Sequence, residues 1–171
     1  QTREGDRAAD TWMLHRNRRH LSNPGIGAIE TTNISVGRGT DTPFEQIGAP
    51  WIDGRQLAAY LNSRRIPGVR FVPVRFTPDG SVFKGEECGG VNVIVTERDR
   101  FRPVFNGLEM AVALRRLYPS EWKVDSYLRL LVNADSLERV KRGESAADIM
   151  RSWSEGLEEF RSRRAGALIY K

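Results

Sequence analysis

Between Asn33 and Thr40 the chain reads Asn33-Ile34-Ser35-Val36-Gly37-Arg38-Gly39-Thr40, an arginine set between two glycines and flanked by hydroxyl and amide side chains. Glycine reaches positive φ without steric cost and leaves neighbouring backbone N–H groups uncovered. The guanidinium is a planar fork that can grip a carboxylate or phosphate through two parallel hydrogen bonds. Such a loop suits an anionic or hydroxyl-rich ligand, with Asn33, Ser35, Gly37, Arg38, Gly39 and Thr40 as candidate binding residues. The competing reading is a tight turn whose arginine decorates the surface. Glu30, just upstream, is read for binding or hydrogen bonding ahead of catalysis.

The remaining chemistry is that of carboxylates. Glycoside hydrolysis uses two carboxyl groups across a sugar, and Glu86 and Glu87 beside Gly89-Gly90 are further loop candidates, with solvated charge as their favoured reading. Trp51, after Ala49-Pro50, either stacks on a sugar ring or sits in the core. Cys88 has no histidine near it in sequence and reads as a small buried hydrophobe. Two histidines, His15 and His20, with one distant cysteine do not make a zinc site. The sequence contains no Gly-x-Ser-x-Gly elbow, Walker loop or dinucleotide fingerprint. No metal or cofactor is expected.

The elements that must position these residues are those of a small domain. A chain of 171 residues with 39% apolar and 29% charged residues is long enough for one hydrophobic core and is not of disordered composition. Its longest apolar runs, such as Val93-Ile94-Val95, fall far short of the ~20 residues of a membrane helix, so no membrane span is expected. Net charge is +5, and arginine supplies most of the 27 cations. Residues 1–24, with the cluster His15-Arg16-Asn17-Arg18-Arg19-His20, read as a loosely ordered basic segment, and residues 25–171 as the domain proper. The start at Gln1 is read as a piece of something longer.

Asn23-Pro24-Gly25 signals a turn, and Ile26 to Ile34 an imperfectly alternating strand. Asp41-Thr42-Pro43-Phe44 is a second turn. Asp53 suits an N-cap for a helix from Gly54 to about Arg64, with Leu57, Tyr60 and Leu61 as its apolar stripe. Val69 to Thr77 reads as a strand that Pro73 confines to an edge or a bulge. Val91 to Thr96 alternates as a second strand. Helices follow: Gly107 to Tyr118, stopped by Pro119; a short one capped at Asp135 and ending near Gly143; and the longest, from Ser145 to about Arg164. In that last helix Ile149, Met150, Trp153, Leu157 and Phe160 form a core stripe. Strands before helices predict an α+β fold: a small, mostly antiparallel sheet from the N-terminal half with helices of the C-terminal half packed on it.

Several stretches in series carry a resemblance. Asn33 to Phe44 is followed by Ile47-Gly48-Ala49-Pro50-Trp51-Ile52-Asp53-Gly54, then Val69-Arg70-Phe71-Val72-Pro73-Val74-Arg75-Phe76-Thr77-Pro78, Lys84-Gly85-Glu86-Glu87-Cys88-Gly89-Gly90-Val91, and Gly143-Glu144-Ser145-Ala146-Ala147-Asp148-Ile149. Over residues 25–165 the chain resembles the C-terminal domain of the bacterial exo-β-N-acetylmuramidases, formerly a domain of unknown function. It departs from that pattern at Thr31, where members of the family usually have glycine. The resemblance implies an auxiliary domain closing one wall of a substrate cleft. An N-terminal Rossmann-like catalytic domain of the parent chain would carry the catalytic glutamates, so this chain alone is expected to be inactive. The implied substrate is a peptidoglycan-derived saccharide ending in N-acetylmuramic acid, the setting wall recycling, and the location the cell envelope. Arg38 would contact the lactyl carboxylate, with Asn33, Ser35 and Thr40 bonding sugar or loop backbone. A non-catalytic cell-wall-binding module shares the same surface; a nucleic-acid-binding domain using the His15 to His20 arm is the third reading, and it ranks last.

Overall fold

The computed structural model describes residues 22–168, so the basic cluster from His15 to His20 lies outside the described residues. Three strands, β1 (Gln46–Ala49), β2 (Val69–Phe76) and β3 (Cys88–Val95), form an antiparallel sheet in the order β1-β3-β2. The α+β class read from the sequence is what the chain adopts. Pro73 lies opposite Val91 on the edge strand β2, where a missing N–H costs no ladder bond on the open side. β1 went unread because its four residues are all buried and show no alternation.

Helix α2 (Gly54–Ser63) covers the sheet face that carries Ile47, Val91 and Phe71. Its N-cap Asp53 accepts from the N–H groups of Arg55 and Gln56 at 2.8 and 3.2 Å, and it buries Leu57, Ala58 and Leu61. Behind it runs α3 (Pro103–Leu117), whose residues from Asn106 to Leu114 are all buried. The shorter helices α4 (Leu128–Leu131), α5 (Ala134–Lys141) and α6 (Ala146–Arg151) complete the layer, with α5 and α6 packed on α3, and α7 (Ser154–Ala165) follows with none of its residues buried. The C-terminal helices therefore reach the sheet mainly through α2 and α3.

Residues 22–29 are helical (α1), not the turn and strand expected from their sequence. Ile26 and Ile29, three apart, are fully buried on one helix face. The packing requires glycine: a Cβ on Gly25 would meet the Pro103 carbonyl oxygen at 2.1 Å, and one on Gly107 would meet Gly25 Cα at 2.7 Å. Tertiary contact overrides the weak helix propensity of a Pro-Gly-rich segment. The expected long C-terminal helix is broken at Ser152-Trp153. Ile149 stays buried and Met150 and Trp153 pack against the core, but Leu157 and Phe160 are exposed, so the stripe is only half core. The cap of α5 is Asn133, not Asp135.

Cys88 is fully buried, and burial, then the charge of Glu86, pushes its thiol up to about 11 from 9.0. Burial also raises the hydroxyls of Tyr127 and Tyr118. Each folded pKa lies above its unfolded value, so above about pH 9 the unfolded chain releases protons that the fold retains. Stability from these groups is fully present below that pH and falls as pH rises. The denaturant midpoint should hold steady from neutrality to near pH 9 and drop toward about pH 11, with Cys88 refusing alkylation until the chain unfolds. A flat midpoint across that window would contradict this.

Candidate functional site

The loop after α1 is tied down almost completely by its own side chains. Asn33 Nδ2 donates to the Glu121 carbonyl at 2.8 Å, and Asn33 Oδ1 accepts from the Lys123 N–H at 2.7 Å. Ser35 is buried and pairs through its backbone with Gly48 at 2.8 and 2.9 Å, while its Oγ accepts from the Gly37 N–H at 3.3 Å. Thr40 Oγ1 donates to the Gly37 carbonyl at 2.7 Å and accepts from Gln46 Nε2 at 2.9 Å. Thr31, the departure from the family pattern, donates to the Ser126 carbonyl at 2.7 Å. These polar groups, expected to meet ligand or backbone, are engaged within the protein.

Gly37 and Gly39 sit at φ 78° and 76°, the left-handed region that favours glycine. A Cβ on Gly39 would meet Gly80 N at 2.5 Å, and the Gly39 carbonyl accepts from the Asp79 N–H at 2.8 Å. The glycines thus let the loop fold back on itself and dock against the turn after β2.

Arg38 and Glu30 are what this frame leaves at the surface. Their side chains are 50% and 31% exposed. Arg38 Nε bonds Glu30 Oε1, and Nη2 reaches Glu30 Oε2 at 3.4 Å. That hydrogen bond raises the guanidinium pKa further, so the cation is permanent. The guanidinium carbon lies 4.8 Å from the centre of the Phe44 ring. Glu30 and Phe44 together orient the cation.

Glu30 occupies the Nε–Nη2 edge. Guanidinium carries five N–H donors, so the Nη1–Nη2 edge retains a second fork, and Arg38 makes no other side-chain hydrogen bond with the described residues. The arrangement can hold a second anion end-on while its positive charge is partly balanced by Glu30. An exposed pair of this kind adds little to stability.

Trp51 lines a different groove, with Asp53, Arg55, Arg75 and Glu87, which none of residues 33–40 lines. Glu87 is paired there with Arg75 at 3.0 Å, both well exposed. Glu86 is exposed in the preceding turn. Sequence reasoning did not single out Arg55 or Arg75; a lone arginine on a strand or helix start carries no local signal. Gly89-Gly90 serves packing: a Cβ on Gly89 would meet the Ile52 carbonyl at 2.1 Å, and one on Gly54 would meet the Gly90 carbonyl at 2.3 Å. No cluster of His, Cys, Asp and Glu suited to a metal occurs among the described residues, and no helix there is long and apolar enough to cross a membrane.

Residues 21–170 match the family described as exo-beta-N-acetylmuramidase NamZ, C-terminal. The chain is similar to the peptidoglycan beta-N-acetylmuramidase NamZ of Bacillus subtilis (strain 168), 40% identical over 150 residues, a stretch that covers 86% of this chain and 36% of that protein. It thus spans about a third of its relative's length. Two solved structures of DUF1343 family proteins from Bacteroides fragilis NCTC 9343 share the fold. One has a TM-score of 0.65 at 23% identity, covering 88% of this chain and 42% of that one. The other has 0.67 at 20%, covering 90% and 41%. The ordered motifs, the sheet with its helical layer and the match along nearly all of the sequence agree: the chain belongs to the C-terminal family of NamZ-type exo-β-N-acetylmuramidases.

Proposed function

We propose that this chain forms one wall of the saccharide cleft of a peptidoglycan exo-β-N-acetylmuramidase and reads the acid sugar there. The catalytic carboxylates belong, in this reading, to a Rossmann-like half of the parent enzyme, and the work is done on wall fragments in the cell envelope. Family membership and the name of the Bacillus relative support the reaction class. The observation that carries the role is the Arg38–Glu30 pair, exposed on a loop whose other polar side chains are engaged internally. N-acetylmuramic acid differs from N-acetylglucosamine by a lactyl ether that ends in a carboxylate. The free Nη1–Nη2 fork of Arg38 matches that carboxylate with two charge-assisted bonds. Glu30 is a positioning residue that fixes which edge is presented. Asn33, Ser35, Gly37, Gly39 and Thr40 hold the loop in the shape that presents it.

Removing a charge-assisted hydrogen bond from a bound complex costs about 1.5–3 kcal/mol, or roughly 10- to 150-fold in a rate ratio. In the parent enzyme, Arg38→Ala should lower kcat/KM by that factor for a substrate ending in N-acetylmuramic acid. For the N-acetylglucosamine analogue it should change little. Equal loss on both substrates would leave Arg38 a structural residue and end its assignment.

A further inference from the structure

The groove at Trp51 has no part in the Arg38 reading, yet it has the makings of a binding site. Its volume of about 730 Å³ falls within the ~300–1,000 Å³ range of ligand pockets. Trp51 is half-buried and rigidly mounted. Its ring meets Tyr118 edge-on at 5.4 Å, and the Tyr118 hydroxyl both accepts from the Asp53 N–H and donates to the Asp53 carbonyl, each at 3.1 Å. Gly89 and Gly54 let that turn lie directly on β3. The aromatic face is therefore pre-oriented, which reduces the ordering cost of binding.

Among the described residues, the indole N–H groups separate the three tryptophans. Trp122 Nε1 donates to Thr32 Oγ1 at 3.1 Å and Trp153 Nε1 to Ser136 Oγ at 2.7 Å. Among the described residues, Trp51 Nε1 donates to no acceptor. Around it stand donors and acceptors that can engage hydroxyl groups. The Arg55 guanidinium makes no hydrogen bond or ion pair with the described residues, and Asp53 uses one carboxylate oxygen for capping and keeps the other. The Arg75–Glu87 pair is 79% and 65% exposed, weak enough for a ligand to reorganise. Flat apolar surface, an unused indole donor and mixed-sign hydrogen-bonding groups fit a sugar ring, whose C–H face is apolar and whose edge carries hydroxyls.

We infer that this groove is a second saccharide site, which stacks an N-acetylhexosamine ring of a glycan on Trp51 and bonds its edge through the indole N–H, Arg55 and the Arg75–Glu87 pair. The choice of N-acetylhexosamine rests on the function proposed above; the saccharide class rests on the groove. The test titrates the 171-residue chain with a β-1,4-linked N-acetylglucosamine trimer while following indole N–H resonances. The Trp51 signal should move and saturate, with those of Trp122 and Trp153 still. Trp51→Ala should weaken binding about tenfold, the size of one aromatic contact, and Trp51→Phe less. Arg55→Ala, at an exposed and unpaired position, should weaken it without changing the melting temperature. A Trp51 resonance that stays still at every soluble trimer concentration, or unchanged affinity in Arg55→Ala and Trp51→Phe alike, overturns the groove assignment. Neither result bears on the muramic-acid preference measured through Arg38.

Discussion

Gly89→Ala is expected to destabilise the chain by about 3 kcal/mol, an overpacking cost, and to lower its melting temperature by roughly 6–12 °C for a domain of this size. The added methyl would stand 2.1 Å from the Ile52 carbonyl oxygen, backbone that cannot rotate away. Relief requires lifting the turn from Ile52 to Gly54 off β3. That turn also holds both hydrogen bonds of the Tyr118 hydroxyl and starts α2. Strain at Gly89 therefore spreads to the cap of α2 and to the mounting of Trp51. Gly80→Ala is the control: nothing lies within 4 Å of its added Cβ, and its φ is unexceptional, so the melting temperature should not move. Equal, small effects at both positions would show that the turn yields freely.

The second large effect concerns a carboxylate in the core. Glu109 on α3 is only 3% exposed and binds Arg64, at the C-terminal end of α2, through contacts of 3.1 and 3.4 Å. Arg64→Met leaves that carboxylate without its cation and should cost about 3 kcal/mol, the low end for a broken buried pair. The low end applies because the Arg64 side is 40% exposed and water already reaches it. Removing the charge as well should reverse much of the loss, because an apolar pair of similar volume avoids desolvation. Denaturant unfolding of Arg64→Met, Glu109→Met and the double variant gives the cycle directly. A double variant as unstable as the sum of the singles would rule out an uncompensated charge as the cause.

These two sites also mark what the sequence could reveal. The α2 helix, with its Asp53 cap and its Leu57 and Leu61 stripe, was legible because cap and periodicity are local. So was β2, for which Pro73 leaves an edge or a bulge open; the sheet order makes it an edge. Residues 22–29 were not, since Pro24 and Gly25 read locally as a turn, while the burial of Ile26 and Ile29 and the close approach of α3 belong to the tertiary fold. Likewise, β1 has buried residues on both faces and no period to read. At the site, Arg38 between its glycines stood out by type and spacing. Its partner Glu30, eight residues away, was singled out, but their pairing was not foreseen. The internal bonding of Asn33 and Thr40 depends on Glu121, Lys123 and Gln46, contacts that no local pattern encodes. Arg55 and Arg75 join Trp51 only through the sheet register and the turn before α2.

If Arg38 reads a carboxylate, as proposed, removing the two charges separately and together must expose the pairing. The parent enzyme and its Arg38→Ala variant would each be assayed on a muramic-acid-terminated substrate and on the same substrate with the lactyl carboxylate converted to its neutral amide. Wild type should lose roughly 10- to 150-fold in kcat/KM with the amide. The variant should be slow on both substrates and indifferent to the change. If the variant still prefers the carboxylate by the wild-type ratio, another group reads the acid and the account is wrong.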